Sequence, residues 1–114
     1  MMKNKIIEIL QYTLKKGTGE EFHHIMKNIS VPLHVNNGID VVSYGNSLHD
    51  SDCYYLIRSF ENEKKMYDDL EAFYSSEEWK NGPREPIINR IENSMKSVMQ
   101  VGENVVEELK RKDI

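Results

Sequence analysis

Three short stretches of this 114-residue chain hold side chains whose types and spacing could do chemistry. Glu20-Glu21-Phe22-His23-His24 contains two Glu-x-x-His spacings, the ligand pair that di-iron carboxylate proteins repeat on facing helices of a bundle. No second such segment follows, and on a helical wheel His23 and His24 adjoin Glu20 and Lys27, so a solvated face is expected. His49, Asp50, Asp52 and Cys53 are all potential metal ligands, but donors this close together in one hairpin rarely converge tetrahedrally, and no metal site is expected. Cys53 has no histidine placed to activate it and reads as a small buried hydrophobe. Gly17-Thr18-Gly19 resembles the start of a dinucleotide fingerprint, yet Phe22 stands where the third glycine belongs. The segment reads as a turn and helix cap, and no cofactor is expected.

The remaining polar candidates depend on the elements that carry them. Lys5 to Leu14 is short and rich in β-branched and aromatic residues, which predicts a strand with Glu8, Leu10 and Tyr12 on one face. Thr18 and Glu21 have capping-box spacing before an amphipathic helix with Phe22, Ile25, Met26, Ile29 and Leu33 on its apolar stripe. Pro32 should kink or end that helix, and Asn37-Gly38 should stop it. His34, just past Pro32, is either a general base with a pKa near neutrality or a solvent-facing residue at a helix end. Residues 39–48 and 53–60 predict a hairpin, the second strand aligning Tyr54, Leu56, Arg58 and Phe60. Asn62 caps a helix presenting Met66, Leu70, Phe73 and Tyr74, and Ser75 with Glu78 restarts a short one. Ser94 to Val101 reads as a last strand, followed by a helical tail over residues 102–114. Glu107 with Arg111 and Glu108 with Lys112 are spaced there as helix pairs.

Length allows one domain, here residues 1–101 plus the tail. A net charge of −4 argues against nucleic acid, which wants a basic face. A single cysteine excludes an intramolecular disulfide. No apolar run approaches the roughly 20 residues that cross a bilayer, and the first residues lack a secretory apolar stretch. A cytoplasmic protein with no membrane partner is expected.

The order β-α-β-β-α-β predicts an α+β, ferredoxin-like fold with an antiparallel sheet and both helices on one face. The helix-free face should then be polar, yet all three first strands have apolar residues on both sides. No spare element looks large enough to cover that second face, so a homodimer is expected.

The same residues carry a family resemblance. Glu8-Ile9-Leu10-Gln11-Tyr12-Thr13-Leu14-Lys15-Lys16-Gly17 resembles the opening of NIPSNAP-type domains. Pro32-Leu33 before Asn37-Gly38-Ile39, and Glu78-Trp79 after the second helix, are similar to that family at the same places. The resemblance implies the dimeric α/β barrel superfamily, two ferredoxin-like sheets packed face to face, with a pocket in each subunit between sheet and helices. Relatives there include cofactor-independent monooxygenases, haem-degrading enzymes, muconolactone isomerases and stress-response proteins. Leu10 stands where family members often have arginine, and Arg58-Ser59-Phe60 replaces an aromatic-arginine-tyrosine run. Leu10 and Pro83 occupy the places where haem degraders use asparagine and histidine, which argues against that activity.

On this resemblance Glu8 and Tyr12 face the pocket, and a carboxylate there needs a partner, for which Arg58 is the candidate. Trp79 lies near the pocket mouth, as a packing anchor or a ligand stack. The implied function is binding of a small apolar or aromatic molecule, with metal-free oxygenation or isomerisation as the chemistry. Glu8 or His34 would abstract a proton, while Tyr12, Arg58 and Trp79 position the ligand. The alternative is a non-catalytic dimeric binding module, and the residues leave both readings open.

Overall fold

The computed structural model describes residues 3–110. β1, Asn4–Leu14, is followed by α1, Gly19–Ile25, which runs through a π-helical turn, Met26–Ser30, into α2, Val31–Asn36. The hairpin of β2, Asp40–Asn46, and β3, Cys53–Phe60, leads to α3, Glu63–Ser75. Two short helices, α4 (Glu77–Asn81) and α5 (Arg84–Ile88), precede β4, Ile91–Gly102, and α6, Glu103–Lys110. The strands form one antiparallel sheet in the order β2-β3-β1-β4, so the expected ferredoxin-like arrangement is the observed one. β1 lies between β3 and β4; its Ile6, Leu10 and Leu14 are buried beneath the helices, and Ile7 is buried on the opposite face.

The helices bury the face carrying Ile6, Leu10, Leu14, Tyr54, Leu56 and Phe60. Phe22 and Met26 from the first helix, Met66 and Phe73 from α3, and Trp79 from α4 complete that core. Asn62 caps α3 as expected, its carbonyl oxygen accepting from the Lys65 amide at 2.8 Å. Two expected caps differ. The Thr18 hydroxyl donates back to the Lys15 carbonyl at 2.6 Å instead of capping α1. The cap of α4 is Ser76 rather than Ser75, with its hydroxyl oxygen accepting from the Trp79 amide at 3.2 Å.

The π turn changes which residues of the first helix face inward. The Val31 amide reaches back to the Met26 carbonyl, a five-residue step, just before Pro32, which has no amide to donate. An extra residue in one turn rotates everything downstream by about 100°. Ile29, expected on the apolar stripe, is therefore 49% exposed, while Ser30 and His34 are buried.

The helix-free face is not bare. α6 folds back over one end of it, where Val106 packs with Ile7 and Val42, flanked by Ile9, Ile57 and Val101. Lys110 Nζ reaches Asp40 Oδ2 at 2.9 Å, and the Ser59 hydroxyl donates to the same oxygen. This corrects the expectation that no element is left for that face: the tail supplies a partial cover. The basic partners expected for Glu107 and Glu108, Arg111 and Lys112, and the rest of the tail to Ile114 lie outside the described residues. Beyond the reach of α6 the face stays open, with Met95 69% exposed and Met99 also exposed, beside Gln11 and Ser97. Among the described residues no helix is long and apolar enough to cross a membrane.

Candidate functional site

Strand register alone brings three charged side chains together. Glu8 on β1 lies directly opposite Arg58 on β3, and on the other side Lys96 of β4 pairs with Leu10, one diagonal step from Glu8. All three project under the helices, where Glu8 is 0% exposed. A carboxylate removed from water must be matched by donors. Arg58 supplies them to one oxygen only: Nε donates to Glu8 Oε1 at 2.7 Å and Nη2 lies 2.5 Å from the same atom. Glu8 Oε2 is buried without a hydrogen bond, and the Lys96 ammonium stands 3.4 Å from it.

The rest of the Arg58 fork is held by two helices. Nη1 donates to the Tyr74 hydroxyl of α3 at 2.7 Å and to His34 Nε2 of α2 at 3.0 Å. His34 Nδ1 sits 2.7 Å from the Ser30 carbonyl, which can only accept, so this nitrogen carries the proton and Nε2 is the acceptor. The imidazole is thus neutral. Burial pushes its pKa down to about 4, the Arg58 charge adds to that, and the Ser30 bond opposes it. Burial works against the Arg58 charge, but Tyr74 and Glu8 outweigh it and raise its pKa. Burial also raises the Tyr12 phenol, with Tyr74 adding to the effect, so it stays protonated.

Glu8, Arg58, Lys96, Tyr12 and Tyr74 line a cleft of about 550 Å³ between the sheet and α3, with Leu10 and Leu70 as its apolar wall. A larger groove of about 750 Å³ lies at the other end of the sheet, among Leu48, His49, Tyr55 and Met95. None of its lining residues is a buried charge, whereas the smaller cleft is lined by two, Glu8 and Arg58.

No protein-family model matches the sequence, and no curated protein matches it. Solved structures do. A NIPSNAP family protein of unknown function from Agrobacterium tumefaciens superposes with a TM-score of 0.77 at 16% identity, covering 90% of this chain and 95% of that one. A NIPSNAP-like domain protein from Burkholderia xenovorans gives 0.76 at 12% identity, with 83% of each chain covered. The chain has the fold of the NIPSNAP proteins. A candidate antibiotic biosynthesis monooxygenase from Nitrosomonas europaea shares it more loosely, with a TM-score of 0.61 at 13% identity over 85% of this chain and 96% of that one.

On this NIPSNAP fold Glu8, Tyr12, Arg58 and His34 converge, but not in the expected manner. His34 is neither a base of near-neutral pKa nor solvent-facing: it is 1% exposed and its free lone pair is taken by Arg58. Trp79 does not line the cleft. It packs behind it, edge-on to Tyr74 at 5.0 Å and against Phe73 at 5.5 Å, so it sets the position of Tyr74. Sequence reasoning missed Tyr74, read as one more apolar-stripe residue, and Lys96, whose place needs the β1–β4 register. The other candidate clusters have local duties. Asp52 accepts from the Gly17 and Gly19 amides at 2.9 Å each. His23, expected on a solvated face, is half-buried and hydrogen-bonded to the Tyr54 hydroxyl at 2.6 Å. The Cys53 thiol is pushed up by burial and by Asp50, away from the thiolate a nucleophile needs. Among the described residues no group of three or more His, Cys, Asp or Glu could hold a metal.

Proposed function

We propose that this protein binds a small, partly apolar molecule in the Glu8 cleft of each protomer, and that its chemistry is proton transfer to Glu8. The observation that carries this reading is Glu8 Oε2, a buried acceptor with no hydrogen bond at the wall of a cleft. Natural proteins rarely leave such a lone pair unmatched, so a ligand donor is its natural complement. Arg58, locked by Glu8, His34 and Tyr74, keeps the carboxylate aimed without consuming Oε2. A C–H or O–H proton of the ligand would pass to Oε2 while its electron pair stays on the ligand, the opening step of an isomerisation or of a metal-free oxygenation by O₂. A binding module without turnover is the second reading. It is favoured by the Arg58 bonds to Oε1, which give the carboxylate a structural partner that needs no turnover to explain it.

The protein is also proposed to act as a homodimer in the cytoplasm, its open sheet face against a second copy. The exposed Met95 and Met99 beyond the reach of α6 support that assembly. Native mass spectrometry of gently purified protein tests both parts. A dimer with a defined extra mass is expected, and that mass names the compound to assay. A monomer at micromolar concentration overturns the assembly. With the compound in hand, Glu8→Gln should abolish turnover; an unchanged rate removes Glu8 as the base, and binding without turnover in the parent protein favours the module.

A further inference from the structure

The charges around the cleft point to what fills it. We propose that the occupant is a small monoanion carrying a hydroxyl close to its carboxylate, with an apolar side chain; this rests on the cleft being the binding site. Glu8 Oε2 lies fully out of water, and what covers it is the Lys96 ammonium at 3.4 Å, a contact of charge without a hydrogen bond. Lys96 itself is 53% exposed along its side chain and free to swing outward. A ligand donor must therefore take the place of Lys96 over Oε2.

A neutral alcohol that did so would gain one hydrogen bond to a carboxylate but separate an ion pair. A ligand that also brings a carboxylate gives the displaced ammonium a new partner. The cleft's lining carries Glu8, Glu71, Arg58 and Lys96, so its charges balance as it stands; a donor that displaces Lys96 from Oε2 leaves that ammonium for one negative charge on the ligand to match. The carboxylate cannot approach Oε2 directly, so the hydroxyl must stand between them. The ammonium stands 3.4 Å from Oε2 before it is displaced, so a short swing leaves it within reach of a carboxylate held close to that hydroxyl. Leu10 and Leu70 line the same cleft and take the apolar remainder, and Glu71 at its rim disfavours a second negative charge.

Three probes of similar size separate these contributions: mandelate has ring, hydroxyl and carboxylate, phenylacetate lacks the hydroxyl, and benzyl alcohol lacks the carboxylate. NMR titration should show mandelate shifting the Leu10, Tyr12 and Leu70 signals, with affinity about tenfold or more above either analogue, the worth of one charge-assisted hydrogen bond. In Lys96→Met the advantage of mandelate over benzyl alcohol should disappear, and benzyl alcohol, with no ion pair left to separate, should bind no more weakly than to the parent protein. If the three bind alike at these residues, the ligand class is wrong and the cleft stands. If none of them shifts Leu10, Tyr12 or Leu70, the cleft reading itself falls.

Discussion

The two faces of the sheet are built on opposite logics. Under the helices, Glu8, Arg58, His34 and Tyr74 are joined by bonds of 2.5 to 3.0 Å whose directions leave one lone pair unmatched. On the opposite face, α6 covers one end through the apolar contacts of Val106, with the Lys110–Asp40 pair at their edge, and the rest faces water. A directional network recognises a ligand by the placement of single atoms, whereas an apolar surface recognises a partner by area and shape. The difference implies that single substitutions should be severe on the first face and mild for folding on the second.

The largest effect is expected from Arg58→Met, which strands the buried Glu8 carboxylate. Chemical denaturation should show a loss of about 3–5 kcal/mol, most of it recovered when Glu8→Met is added, because removing a whole buried pair costs far less than removing half. A small loss in the single variant would mean that Glu8 has other support. The next effect comes from pH. His34 has a folded pKa of about 4 against an ordinary 6.5, so the unfolded chain takes up the proton first as pH falls. Its contribution is complete above about pH 6.5 and is lost progressively down to about pH 4, on the order of 3 kcal/mol in all. A His34→Gln variant should show a flatter stability profile across that window; an unchanged profile would remove His34 as the cause. The smallest effect on folding is expected at Met95→Glu, within about 0.5 kcal/mol. Sedimentation should nonetheless show dimer association weakened about tenfold or more, and no change would take this patch out of the interface.

Much of the covered face was legible in the sequence. The two-residue period puts Glu8 with Tyr12, and Arg58 with Tyr54 and Phe60, so a Glu8–Arg58 pair needs only the β1–β3 register to follow. Lys96 was out of reach because β4 begins at Ile91, ahead of the expected Ser94, and its alignment on β1 is a long-range fact. Trp79 was expected near the pocket mouth as a packing anchor or a ligand stack, and its single polar atom gives no sign of which side of the cleft wall it takes. His34 was misjudged for a different reason. A 3.6-residue wheel carried through Ile29 and Leu33 turns it away from the core, and only the π turn brings it back. The partial cover by α6 was missed because a short amphipathic helix after the last strand does not announce which surface it returns to.

That π turn ties the winding of a helix to the cleft below it. If the same residues wound as a regular α-helix, Ile29 rather than Ser30 would face inward, and the His34 imidazole would turn away from the guanidinium. On the helix side Arg58 would then be held by α3 alone. The one turn that breaks the α ladder is thus what lets two helices, rather than one, share the orientation of a single buried charge.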